Sequence, residues 1–248
     1  LEKNNEIVIG RKPVRELLEQ LEHLDKVWID QKLTGDYEKE VRKLCKEKEI
    51  PLTRVPTVKL DKLSRFKNHQ GVLAFTTPIQ FYKLEDIINQ SFESGKAPCV
   101  LIMDNITDIR NLGAVARTAY WFGIDCIVYA LRQAPPINSA AIKASMGALL
   151  SIPVCRVPSI VNALKYLKES GIKLIGSSLL DAQLPGDMKA SDPMALILGS
   201  EERGISREVE QMCDMLVHIP GTSNIDSLNV SVASGVLLYE IFNQRNNK

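Results

Sequence analysis

No overall charge excess marks this chain: 31 lysines and arginines stand against 30 aspartates and glutamates, a formal net of +1. A protein-wide field that would draw in nucleic acid or an anionic membrane is thereby excluded, and any such partner must be met locally. Long apolar runs are missing too. No stretch approaches the roughly 20 residues that span a bilayer, and the opening LEKNNEIVIG lacks the apolar core of a signal peptide. A cytoplasmic protein with no membrane partner is the expectation. Paired metal-ligand spacings are also absent. The five cysteines, Cys45, Cys99, Cys126, Cys155 and Cys213, form no CxxC, and His23, His69 and His218 are neither helix-spaced nor near a cysteine pair. No metal site is expected, and the odd, scattered thiols read as buried cysteines of a reducing compartment. The chain has neither an internal repeat nor a low-complexity tract.

What is present is 248 residues, 45% of them hydrophobic and 25% charged, enough for one large or two modest domains with a sizeable core. From Arg11 to Leu24 the residues Val14, Leu17, Leu18, Leu21 and Leu24 recur at three- and four-residue steps, with Pro13 in the first turn. That spacing predicts an amphipathic helix. KVWID (26–30) reads as a strand, Asp36 to Glu49 as a second helix, and GVLAFT (71–76) as a second strand. Together they make a small α/β domain over 1–76. Between 39 and 67, Lys39, Arg42, Lys43, Lys46, Lys48, Arg54, Lys59, Lys62, Arg65 and Lys67 outnumber the acids. The pattern fits a phosphate-binding surface and equally a solvated helix face. Prolines, a helix-like LEDIINQSF and the turn ESGKAP mark 77–97 as a linker.

From Pro98 onward, short apolar runs alternate with helical patterns. CVLIMD, CIVYA, IPVCRV, IKLIGSS, MALILG and MLVHIP read as strands, with helices at about 111–122, 139–149, 159–170 and 206–213 and a last one after Ser227. Near-continuous apolar strands between helices predict an α/β fold with a parallel sheet covered on both faces. Ligands of such sheets lie beyond the carboxyl ends of the strands, and three loops there carry candidate chemistry. In DNITDIRNLGAVARTAYWFG, Asn111 and Gly113 open a helix whose N–H groups suit an anion. Arg117, six residues on and read as broadly on the same side, could hold the same anion; a capped helix with a surface salt bridge explains the stretch as well. LILGSEERGIS brackets three charges with Gly199 and Gly204, as a close backbone approach to a ligand or a sharp turn requires. HIPGTSNIDSLNVSVASG puts Ser227 where an N-cap belongs. Asn229, a mediocre helix former, then falls inside the first turn, where its amide can serve a cleft as donor and acceptor.

These three stretches, in this order and spacing, resemble the signature motifs of the SpoU (TrmH) family of AdoMet-dependent RNA ribose 2′-O-methyltransferases, within the SPOUT superfamily. The matching residues are Asn111-Leu-Gly-Ala to Arg117-Thr, Gly199-Ser-Glu201 to Gly204, and Ile219-Pro-Gly221 through Ser227-Leu-Asn229-Val-Ser-Val-Ala. KASMGAL (143–149) is similar to the family's stretch between the first two motifs. IGRKPVRELL and NHQGVLAF resemble the opening and closing of a small ribosomal-protein-like RNA-binding domain fused to many members. The most similar type acts on a guanosine of 23S ribosomal RNA and usually reads D-G-V-T-D-P-x-N at the first motif. Here Asn105 replaces Gly and Ile109 replaces Pro, which is expected to change the loop leading into the helix, and Arg110 adds charge.

The resemblance implies that 98–248 is tied in a deep trefoil knot, and that active sites form across a homodimer. It implies S-adenosyl-L-methionine (AdoMet) as cofactor and RNA, ribosomal above all, as substrate. Members acting on tRNA often lack the first domain and carry a basic extension after the last helix, where this chain has QRNNK. Ser178, Gly199, Ile219 and Leu228 would line AdoMet. Arg117 would be the catalytic arginine, with Asn111 positioning it or a phosphate. Glu201 would shape the second loop, and Ser227 and Asn229 would orient substrate or the partner subunit's loop. Because an arginine is effectively always protonated, Arg117 is expected to clamp the 2′-oxygen electrostatically. RNA contacts are expected at Arg11, Lys12, Asn68, His69 and Arg110, with unpaired loops as targets because their riboses and base edges are accessible. The alternatives are a tRNA 2′-O-methyltransferase and a non-catalytic RNA-binding or ribosome-assembly protein of the same fold. The joint presence of Asn111, Arg117, Glu201, Ser227 and Asn229 argues against the second. No G-x-G-x-x-G follows the first strand of the domain, so a dinucleotide-type methyltransferase fold has no support.

Overall fold

In residues 24–30 buried and part-exposed side chains are interleaved, and the reason is a sheet with a different cover on each face. The computed structural model describes residues 7–20, 24–131, 135–178, 182–200, 202–222 and 227–246. The chain divides into two compact units, Leu1–Gln80 with Pro136–Ser139, and Phe81–Pro135 with Ala140–Lys248.

The first unit runs β1 (Ile7–Ile9), α1 (Arg11–Gln20), β2 (Leu24–Asp30), α2 (Asp36–Glu47), β3 (Leu52–Val55), α3 (Thr57–Leu63) and β4 (Val72–Thr76). Its sheet has the order β1-β4-β2-β3, parallel between β2 and β3 and antiparallel elsewhere. Val27, Ile29, Val72 and Ala74 meet Val14 and Leu18 of α1 and Val41 and Cys45 of α2. Trp28, Leu73 and Phe75 turn the other way, toward Leu60 of α3. Both predicted helices and strands are present, and β1, β3 and α3 are additions. β1 and β3 have three and four residues, too few for an alternation to show.

The second unit begins inside the stretch expected to be a linker. β5 (Phe81–Tyr82) pairs with β8 (Val154–Val157), and α4 (Leu84–Glu93) buries Leu84, Ile87 and Ile88 in the core. The three- and four-residue spacing that makes LEDIINQSF helix-like is the spacing of a packed face, so this segment is folded rather than a spacer. Then follow β6 (Cys99–Met103), α5 (Ile109–Trp121), β7 (Cys126–Ala130), α6 (Ser139–Ala144), β8, α7 (Ile160–Glu169), β9 (Lys173–Ser177), β10 (Met194–Leu198), α8 (Arg207–Glu210), β11 (Met215–Val217) and α9 (Val230–Asn246). The sheet order is β11-β9-β10-β6-β7-β8-β5, with every pairing parallel. β6, β7 and β10 are buried throughout, which is why they read as unbroken apolar runs. Val100, Ile102, Val128 and Ile197 pack under α4, α7 and α8, while Leu101, Ile127 and Leu196, on the opposite face, are equally buried.

Several boundaries depart from expectation: Leu24, read as the end of the first helix, opens β2, and the helix read over 206–213 ends at Glu210. The helix predicted over 139–149 stops at Ala144 in a Schellman cap, where the N–H groups of Met146 and Gly147 bond to the carbonyls of Lys143 and Ile142 and both residues have positive φ. α5 starts two residues early, at Ile109, and α9 two residues late, at Val230; α9 then takes in most of QRNNK. β11 is bracketed. The Ser178 N–H at the end of β9 bonds to the Val217 carbonyl, while on the other edge Gln183 accepts from the His218 N–H and donates to the Leu216 carbonyl. The chain leaving β9 thus reappears on the far side of β11.

Candidate active site at the ends of the parallel strands

Strand order reverses between β6 and β10, and the loops leaving these two strands are tied together at their bases. Asp104, which ends the apolar run of β6, is 2% exposed. Its backbone N–H bonds to the Leu198 carbonyl at 2.8 Å, and its carboxylate accepts the Ser206 N–H at 2.7 Å and the Asn105 side-chain N–H at 2.8 Å. Sequence reasoning did not single out Asp104; the signal was a lone carboxylate closing a fully buried strand. The two departures from the family pattern here fall where this backbone would also accept the residues they replace. Asn105 has φ +60°, a conformation that glycine adopts freely and asparagine tolerates best among the rest. Ile109 is the first helical residue, the position proline favours without being required.

The N-terminus of α5 does not offer its N–H groups to an anion. Asp108 is its N-cap: the carboxylate accepts the Arg110 N–H at 2.7 Å and grips the Arg110 guanidinium at 2.9 and 3.3 Å. The Arg110 side chain and the backbone N–H groups of Arg110 and Asn111 hold the Asp108 carboxyl below its usual range. Of the two readings of this stretch, the capped helix is the one the geometry gives.

The second loop closes on itself. Ser200 and Gly204 exchange both backbone hydrogen bonds, at 3.0 and 2.9 Å, and Gly204 has φ +66°. A side chain at Gly199 would put its Cβ 1.9 Å from the Gly204 carbonyl carbon, so glycine is required by this backbone approach. Glu201 lies outside the described residues. In the third loop the cap is not Ser227 but Asn229: its carbonyl accepts the first helical N–H, from Ala233, and its side-chain oxygen accepts the Ser231 N–H at 2.9 Å. The amide nitrogen of Asn229 donates to the side-chain oxygen of Asn111 at 3.2 Å, joining the first and third motifs across 118 residues.

Two cavities meet at this junction. One, of about 560 Å³, is lined by the ends of β9, β10 and β11 and the start of α9, and it brings together Ser178, Gly199, Ile219, Ser227, Leu228 and Asn229. The other, of about 600 Å³, lies between the first two loops and includes Asp108, Asn111, Arg203 and Arg207. Ser200, Gly204 and Val230 border both. Arg203 and Arg207 were not foreseen, since nothing in SEERGISREVE separates a cleft-facing charge from a solvated one. Arg117 is not brought to either cavity. Six helical residues amount to about 600°, so Arg117 sits roughly 120° around α5 from Asn111 rather than on the same side. It is exposed, and its side chain has no hydrogen-bond or ion-pair partner among the described residues.

The expected RNA contacts of the first unit divide. Lys12 and Asn68 are exposed. His69 is 8% exposed; its Nε2 lies 2.9 Å from Asp61 and its Nδ1 accepts the Gly71 N–H, so it braces the loop instead of facing a ligand. Arg11 is clasped to Gln70 through backbone N–H and Nε, with its guanidinium over Tyr37. The basic stretch is likewise partly spent within the fold, because Glu38 pairs with both Arg42 and Arg54 and Lys59 stands over Trp28. Among the described residues, no group of three His, Cys, Asp or Glu is placed to hold a metal, and no helix is long and apolar enough to cross a membrane.

Comparison with known proteins agrees with this arrangement over both units. Residues 98–239 match the family model described as the SpoU rRNA methylase family, and residues 7–82 match one described as RNA 2′-O ribose methyltransferase substrate binding. A Bacillus subtilis (strain 168) protein named as a TrmH family tRNA/rRNA methyltransferase is 34% identical over 246 residues, 99% of this chain and 98% of its own length. Among solved structures, the SpoU methyltransferase AviRb from Streptomyces viridochromogenes, crystallised with AdoMet, shares the fold with a TM-score of 0.62 at 22% identity, covering 99% of this chain and 92% of its own. A TrmH-family RNA methyltransferase structure from Porphyromonas gingivalis has a TM-score of 0.57 at 26% identity, with coverages of 95% and 88%. Matched over both units and carrying the three motif loops around one pair of joined cavities, the chain belongs to the SpoU rRNA methylase family.

Proposed function

We propose that this SpoU-family RNA methyltransferase holds AdoMet in the cavity at the ends of β9, β10 and β11. It methylates the 2′-hydroxyl of a ribose placed in the adjoining cavity, and that ribose belongs to a guanosine of 23S ribosomal RNA. The observation that carries this reading is the junction of the two cavities at Ser200, Gly204 and Val230, beside the Asn111–Asn229 hydrogen bond. A volume of about 560 Å³ falls in the range of small-molecule sites. Among the described residues the backbone N–H groups of Ile219 and Leu228 have no acceptor within the chain, so donors for ring nitrogens are at hand beside the apolar walls of Leu198 and Leu237.

AdoMet, when bound, supplies a methyl group already activated on a sulfonium. The protein must then align the hydroxyl and stabilise charge on its oxygen. Asn111 in the wall of the acceptor cavity and Asn229 in the wall of the AdoMet cavity are bonded at the junction, Ser227 stands beside Asn229 on the AdoMet side, and Arg203 and Arg207 meet the phosphates of the acceptor. Arg117 acts from a second copy of the chain. Its helix α5 exposes Tyr120 and Trp121, and α9 exposes Val232, Val236, Tyr239 and Phe242, an apolar surface suited to a homodimer that would carry each Arg117 toward the other copy's cavities. The bracketing of β11 between Ser178 and Gln183 supports a trefoil-knotted path.

Residues 7–82 match a model for RNA substrate binding, and because members acting on tRNA often lack the first domain, its presence supports ribosomal RNA over tRNA. Ribose-methylation mapping of RNA from a deletion strain, with and without the restored gene, tests the reading. Loss of one 2′-O-methylguanosine in 23S RNA, regained on restoration, is expected; a change confined to tRNA would move the substrate, and no change in either would overturn the proposal. In vitro, Arg117→Ala is expected to lower the methylation rate by on the order of 100-fold or more while calorimetry shows AdoMet binding intact.

A further inference from the structure

α3 ends in a Schellman cap: the Phe66 N–H bonds to the Asp61 carbonyl at 2.8 Å and the Arg65 N–H to the Lys62 carbonyl at 3.4 Å. The motif needs one left-handed residue, and Arg65, with φ +52°, supplies it. The residue after it ordinarily folds an apolar side chain back onto the last helical turn. Phe66 occupies that position and does the opposite. It too is left-handed, with φ +59°, and its side chain is 84% exposed. A left-handed L-residue is disfavoured, and a ring left in water recovers nothing by burial.

The surroundings enforce this presentation. Buried Ser64 donates to the Asp61 carbonyl at 3.1 Å, and the Asp61 carboxylate is held by His69 at 2.9 Å. The Lys67 N–H bonds to the Ser64 carbonyl, and Gln70 is clasped to Arg11 from the other end of the loop. Strain that persists because its neighbours over-determine it is a pointer to function. Beside the ring in sequence stand three exposed cations, Lys62, Arg65 and Lys67, while the nearest acid, Asp61, is engaged by His69.

We propose that Phe66 is a stacking platform for an unpaired base of the RNA substrate, with Arg65 and Lys67 on the flanking phosphates. A rigidly presented aromatic with a cationic rim suits a polyanion whose bases show bare faces, and a duplex covers those faces. The proposal rests on the reading that the chain acts on RNA, and it adds which feature of the RNA the first unit selects.

The test uses the full chain and two probes at one salt concentration: a single-stranded RNA oligomer carrying 2-aminopurine, and the same strand annealed to its complement. Phe66→Ala is expected to bind the single strand about 5- to 150-fold more weakly, the range for one lost base stack, with duplex binding unchanged. Phe66→Trp should retain the affinity and the quenching of 2-aminopurine. AdoMet binding equal to wild type in both variants shows that they are folded. Wild-type affinity of Phe66→Ala for the single strand would overturn the stacking role, as would equal losses on both probes. A shift in sedimentation with RNA affinity unchanged would assign the ring to a protein contact and overturn it as well. A wild-type chain that binds neither probe would overturn the functional reading itself.

Discussion

Asn229 does two things with one side-chain amide: the oxygen caps α9 and the nitrogen reaches Asn111. The two can be separated. Asn229→Ser keeps a cap of nearly equal quality, so its Tm should stay close to wild type, but serine is too short to reach Asn111. Methylation should fall well beyond any change in stability, and wild-type activity in Asn229→Ser would remove the Asn111 bridge from the site. Asp108 gives a pH-dependent test. Its carboxyl is acid-shifted in the folded chain, so its stabilising contribution is complete above the ordinary value of 3.8 and disappears as pH falls through the lower folded value. An Asp108→Asn substitution keeps a capping side chain but removes the charge that pairs with Arg110. The Tm gap between wild type and variant should therefore be largest near neutrality and close as pH falls below the ordinary carboxylate range; a gap independent of pH would dismiss the ion pair. Asn229 was legible as a residue out of place in a helix start. Asp104 was not, because one carboxylate at a strand end says nothing about a backbone N–H 102 residues away.

Among the helices, α9 is apolar on every side. Val230, Leu237, Leu238 and Ile241 are buried within the chain, whereas Val232, Val236, Tyr239 and Phe242 remain exposed. Phe122 at the end of α5 stacks at an angle against Tyr239 and Phe242, with centroids 6.1 and 5.5 Å apart, so the two helices share one outer surface. Apolar periodicity marks both sets of residues alike, and only packing separates the core face from the outward one. α4 teaches a complementary lesson. Prolines and a glycine turn around it suggest a linker, yet Ile88 is 0% exposed beneath it. Ile88→Ala is expected to destabilise the second unit by about 2–5 kcal/mol in denaturant unfolding, as buried isoleucine truncations do. A change under about 1 kcal/mol would restore the linker reading.

The proposed role of Arg117 ties the chemistry to assembly of the complete protein. One chain joins the three motif loops but leaves Arg117 outside both cavities, so the proposed role of Arg117 requires a second copy. Trp121 is 81% exposed on the same helix. Trp121→Glu should leave the circular dichroism spectrum unchanged, shift sedimentation from dimer to monomer and abolish methylation. An active monomer would show that Arg117 acts in its own chain or not at all.

The order of amino acids was enough for the parallel α/β architecture and the three motif loops, because strand burial, helix periodicity and turn chemistry are written in residues close together in the chain. It also carried the family, through motif order and spacing. Which residues meet was settled by packing in three dimensions. Packing joined Asn111 to Asn229, tied Asp104 to Ser206, turned His69 inward and Phe66 outward, and set Arg117 apart from the cavities. Each of these depends on the close approach of segments far apart in the chain or on a backbone angle imposed by a neighbour, and neither leaves a periodic trace in the residues themselves.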